Sequence, residues 1–188
     1  EYTSDGDPVD EATEVSGGVL DGNVQTVADP AVDVTLAATP GDKSYVKNTL
    51  DRDLAAFDFA ATTADDIKIT SLTVHCAINT GVDCSDAFQS LNLYLKEGST
   101  LTKLDGPESI SSAGTDGDAT FSFTQMIEAG NSARLLVRGN VASAAGAGTY
   151  EFTIESDADV TAEDSEGSDA VVNDGDGNYG DAFVTVGP

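Results

Sequence analysis

Tryptophan is absent from this sequence, and histidine and methionine occur once each, as His75 and Met126. Basic residues are scarce. Only 8 Lys and Arg stand against 34 Asp and Glu, a formal net charge of -26. Phosphate recognition needs clustered Lys and Arg, so nucleic acid is excluded as a partner, and an anionic membrane surface with it. No apolar run approaches the ~18 residues of a membrane-spanning helix. A lone histidine leaves little room for Ser-His-Asp or Cys-His catalysis. No Gly-x-Ser-x-Gly elbow, phosphate loop or dinucleotide fingerprint is present. Paired carboxylates can hydrolyse glycosides, but in so acidic a chain such pairs arise by chance. The missing Trp also removes the usual sugar-stacking surface. These absences argue against an enzyme. With no Asn-x-Ser/Thr sequon, N-glycans of that type are not expected.

What is there is acid. A chain of this charge repels itself in the compact state unless cations screen it. High salt supplies them, and so does millimolar divalent metal outside the cell. Cys76 and Cys84, in HCAINTGVDC, are spaced for a disulfide across a turn at Gly81, which an oxidising compartment would keep. A zinc site is disfavoured, because His75 adjoins Cys76 and points to the opposite face of a strand. The chain begins at Glu1 rather than Met, which fits a processed, exported product.

The apolar pattern is period two. Val32, Val34 and Leu36 share a face in AVDVTL, and Phe57 and Phe59 do so in LAAFDFAAT. Ile67 and Ile69 are in phase, while Leu72, Val74 and Cys76 take the other phase. A bulge is therefore expected around Thr70-Ser71. Further runs carry Leu91, Leu93 and Leu95, then Phe121 and Phe123, then Tyr150, Phe152 and Ile154, and DAFVTVGP closes the chain. Turn residues separate these runs, and no helical stripe is sustained. The reading is an all-β chain: an antiparallel β-sandwich with extended terminal strands, although a β-barrel uses the same strands. Residues 1–28 form an acidic N-terminal extension, with short strands expected near Glu14–Val19 and Asn23–Val27. Residues 29–188 form the sandwich domain.

Two stretches carry a likeness. They are LAAFDFAATTADDIKITSLTV and FSFTQMIEAGNSARLLVRGNVASAAGAGTYEFTIESDADVTAEDSEG. From about residue 29 to residue 167 the chain resembles the Ig-like β-sandwich repeat modules of bacterial cell-surface and secreted proteins. The resemblance implies an Ig-like fold and a structural role outside the cell, and it brings no catalytic residues. The chain differs from that pattern in its single module and acidic extension, which suggests assembly between separate subunits.

VVNDGDGNYGD, residues 171–181, places Asp174, Asp176 and Asn178 at alternate positions, with Asp181 following. Calcium takes six to eight oxygens, and alternating Asp/Asn with Gly lets a loop curl its oxygens inward. Asp174, Asp176, Asn178 and Asp181 are therefore the expected calcium ligands, though turn chemistry between two strands reads the same way. Lesser candidates are Asp5, Asp7, Asp10 and Glu11; Asp116 and Asp118 in GTDGD; and Asp164, Glu166 and Asp169 in EDSEGSD. The expected function is an extracellular structural subunit. It would form a filament, tube or surface layer from copies of itself, by terminal β-strand exchange and bound calcium. The alternative is a calcium-dependent adhesive or carbohydrate-binding module for surface glycans, using Tyr94 beside Lys96, or Tyr179.

Overall fold

The structure is a computed structural model that describes residues 28–111, 116–174 and 179–188. Most of the N-terminal extension therefore lies outside the described residues. The described chain is an all-β sandwich of two six-stranded sheets.

The first sheet holds β1 (Ala31–Leu36), β3 (Thr49–Ala61), β5 (Phe88–Glu97), β6 (Thr100–Glu108), β8 (Ser132–Val141) and β11 (Val171–Asp174), in the order β11-β1-β3-β8-β5-β6. The second is built on β4 (Ile67–Thr80). One edge of β4 pairs with β7 (Gly117–Ile127). The other edge is shared by β10 (Val160–Glu163) and β9 (Gly148–Thr153), and β12 (Asp181–Gly187) and β2 (Lys43–Val46) extend the sheet beyond β9. A one-turn helix, α1 (Cys84–Ala87), follows β4, and a 3-10 turn at Asp157–Asp159 precedes β10.

The period-two residues face inward as their spacing requires. Val32, Val34, Phe57, Phe59, Ile67, Ile69 and Leu72 are fully buried. The phase change in β4 is real: its register with β7 shifts between Ile69 and Ser71, so both apolar sets reach the core. Phe88 meets the rings of Tyr150 and Phe152 edge-on, at 4.9 and 5.0 Å between centroids. The Tyr150 hydroxyl, carried into the core by its ring, accepts the Val82 N–H.

Cys76 and Cys84 form a disulfide and are both buried. It ties the end of β4 to α1, and His75 lies on the other face of the strand, as alternation demands.

The sheets depart from a purely antiparallel plan at two places. β1 pairs with β11 in parallel, and so does β12 with β2. Each pair joins strands more than a hundred residues apart, which period-two patterns cannot register. The C-terminal strand is an internal element of its own sheet. Ala182, Val184 and Val186 are buried, and β12 lies between β9 and β2.

Candidate cation site

The loops at one end of the sandwich carry the carboxylates. Between β3 and β4 runs Thr62–Asp66, and between β10 and β11 runs Asp164–Ala170. Among the described residues, Asp65, Asp164 and Glu166 bring one carboxylate oxygen each to within 4.8 Å of one another. Backbone turns set the geometry. Asp164 Oδ1 accepts the N–H groups of Glu166 and Ser168 at 3.0 and 2.8 Å, folding the loop back on itself. Ser165 then reaches across a hundred residues of sequence. Its N–H and hydroxyl both donate to Asp65 Oδ2, at 3.1 and 2.7 Å, and the hydroxyl also contacts Glu166 Oε2 at 2.9 Å. The Ser165 hydroxyl and amide, with the Asp66 amide, hold the Asp65 carboxyl below the usual range, so it stays ionised. Three like charges in this space repel, and an oxygen-seeking cation such as calcium would relieve them.

Asp164 and Glu166 were singled out in the sequence, whereas Asp65 was not. It was legible only as part of an acidic turn, because nothing in sequence registers a loop against another a hundred residues away. Asp169, the last acid of EDSEGSD, stands apart, its backbone in an antiparallel β-bridge with Glu163.

Asp174 ends strand β11 in the first sheet, and Asp181 opens β12 in the second, so these two strands do not pair as a hairpin. Asp176 and Asn178 lie outside the described residues. Asp181 is drawn beside Glu151 on the neighbouring strand. Burial and the Asp181 carboxylate, with Glu155 adding to them, push the Glu151 carboxyl up despite a hydrogen bond from Asn79. Tyr179 is raised by burial, then by the charges of Asp157, Asp174 and Asp159. This end of the sandwich is thus a second concentration of negative charge.

Asp116 and Asp118 have structural partners. Asp116 Oδ1 accepts the Ile78 N–H at 3.2 Å, and Asp118 Oδ1 lies 2.7 Å from His75 Nδ1. Asp159 Oδ1 approaches Nε2 of the same ring at 2.9 Å, off the line of a well-formed hydrogen bond, and Glu155 stands 3.9 Å from Nδ1. Burial lowers the His75 pKa, but Asp159, Glu155 and Asp118 outweigh it and leave it raised. Asp5, Asp7, Asp10 and Glu11 lie outside the described residues.

No known protein family and no curated protein matches the chain. Solved structures with a similar course of strands include a family 123 glycoside hydrolase from Clostridium perfringens, at 11% identity and a TM-score of 0.42. The match covers 83% of this chain and 27% of that one, so this chain spans little more than a quarter of the hydrolase. AvmM, which catalyses macrocyclization in alchivemycin A biosynthesis, matches at 12% identity and 0.42, over 85% of this chain and 89% of its own. ACE19, the collagen-binding subdomain of the Enterococcus faecalis surface protein ACE, matches at 8% and 0.25, over 89% and 100%. Likenesses at this level assign no activity.

Proposed function

We propose that this protein is an extracellular structural subunit, akin to the Ig-like modules of bacterial cell-surface proteins. It assembles with copies of itself into a filament, tube or surface layer, by exchange of terminal strands and by calcium held between carboxylates. The observation that carries this reading is the convergence of Asp65, Asp164 and Glu166 from two separate loops in a chain of net charge -26. Self-association of such a chain brings acid against acid, and bound divalent cations offset that repulsion. The disulfide suits an oxidising, extracellular setting. With the C-terminal strand enclosed in its own sheet, the N-terminal segment is the donor for exchange.

The carbohydrate-binding alternative has less to draw on. Tyr94 lies under Arg138, with the guanidinium 5.7 Å from the ring centre, and Tyr179 packs against the core. Neither ring is free to stack on a sugar.

Light scattering and negative-stain microscopy of the purified protein, with calcium and with EDTA, test the proposal. Calcium-dependent growth into uniform fibres, tubes or sheets is the expected result. A single chain of unchanged mass in both buffers would overturn it.

A further inference from the structure

The sandwich has an open side where its two sheets end in β10 and β11. Between them lies a groove of about 490 Å³, walled mainly by Ala158, Val160, Ala162, Ala170, Val171 and Val172. One end of the groove is closed. The Ala170 N–H donates to the Ala162 carbonyl at 2.9 Å, and Glu163 bridges Asp169. The other end opens toward Asp157. Along β11 the Val171 N–H donates to the Pro30 carbonyl at 3.0 Å, toward β1. Alternation turns the amide and carbonyl of Val172 the other way, into the groove. Val171 is 47% exposed. An edge strand with apolar neighbours and outward-facing backbone groups is a template for another strand. Among the described residues, no strand pairs with the outer edge of β11.

The described chain begins at residue 28, directly before β1, the strand that pairs with β11, and 27 residues of sequence precede it. Residues 15–27 read VSGGVLDGNVQTV, in which Asp21 alone is charged. An apolar groove rimmed by Asp157 and Asp169 admits a segment of this kind and rejects the acidic stretch before it. Thirteen extended residues reach roughly 43 Å, more than the roughly 13 Å that a four-residue strand such as β11 spans. The segment of the same chain meets an obstacle. To reach the outer edge of β11 it must pass over the start of that strand, where residues 164–170 arrive from β10 in the other sheet. A second copy faces no such crossing.

We infer that the β10–β11 groove receives residues 15–27 of a second copy as an added strand. The donor sequence leads into β1, the strand that pairs with the acceptor β11, so a reciprocal exchange between two copies gives a two-fold dimer. This inference rests on the reading of the protein as a self-assembling subunit and refines it: strand exchange closes within the dimer, and growth beyond two chains is left to the carboxylate-bound cations.

The test uses the full chain in EDTA, by light scattering and by hydrogen exchange resolved to single amides. Its comparison is the variant Val19→Pro with Val24→Pro, which leaves the described sandwich untouched. The wild type is expected at the mass of two chains with the Val172 amide protected. The proline variant is expected at the mass of one chain, with Val172 exchanging at least ~10-fold faster and the Phe57 amide unchanged. A one-chain wild type with Val172 protected would mean that the groove is filled by its own segment, and would overturn the exchange. A two-chain mass with Val172 unaffected by the prolines would place the dimer contact elsewhere and also overturn it. Calcium-dependent fibres formed equally by both proteins would retain the assembling subunit and reject this groove. Dimers that never grow in calcium would retain the groove and reject the polymer.

Discussion

His75 stands among three carboxylates. Asp118 on β7, and Glu155 and Asp159 on the link from β9 to β10, surround its ring. Its folded pKa is raised, so its stabilising contribution is fully present below the unfolded value of about 6.5 and disappears as pH rises through the folded value. His75→Gln should therefore lower the thermal midpoint most between about pH 5 and 6.5, with the gap to wild type narrowing at higher pH. Melting curves across that range check this, and a gap independent of pH would mean that the ring acts through packing alone. The disulfide acts on the unfolded chain. With a sequence separation of 8, replacing Cys76 and Cys84 together by Ala should cost about 2–3 kcal/mol in denaturant unfolding, by the loop-entropy relation.

At the scale of elements, β9 shows how tightly the strands approach. A Cβ on Gly148 would sit 2.0 Å from the Thr80 carbonyl oxygen and 2.7 Å from the Gly81 Cα, both backbone atoms. Neither can swing aside, so Gly148→Ala should destabilise by about 1–3 kcal/mol in urea melts. On the other side of β9, across its pairing with β12, Glu151 and Asp181 set like charges diagonally on one face. Asp181→Asn should raise stability in EDTA at neutral pH by up to about 1 kcal/mol. If Asp181 helps to hold a cation, that gain should vanish or reverse in calcium, which paired melts in the two buffers would show.

At the scale of the molecule, the question is how 34 acidic residues are accommodated. Part of the answer lies on the outer face of the first sheet. Arg134 grips both oxygens of Asp58 at 2.7 Å, and Arg138 pairs with Asp53, each pair directly opposite across β3 and β8. Lys68 pairs with Glu163 on the second sheet. Asp65, Asp164 and Glu166 gather instead in two loops at one end. Asp65→Asn with Asp164→Asn should therefore lower the thermal midpoint in both buffers, and by clearly more in calcium than in EDTA. Asp174→Ala with Asp176→Ala should likewise lose stability mainly in calcium. Ligand linkage supplies about 2.7 kcal/mol at a hundred times the dissociation constant, which sets the size of the calcium-dependent part. Equal losses in both buffers would remove calcium from the account of either pair.

The period-two runs, the phase slip at Thr70 and the spacing of the cysteines were enough to define the strands, the bulge and the disulfide. Each depends on neighbours along the chain, where burial on one face imposes its own alternation. β2, β6, β10 and β11 escaped that reading: three are four-residue strands, too short for alternation to stand out, and β6 buries no residue fully, so its sequence carries no clear apolar face. The pairings β1–β11 and β12–β2, and the meeting of Asp65 with Asp164 and Glu166, were decided by tertiary structure. Contacts across a hundred residues are set by how two sheets close over a shared core, and local pattern carries no record of which loops that closure brings together.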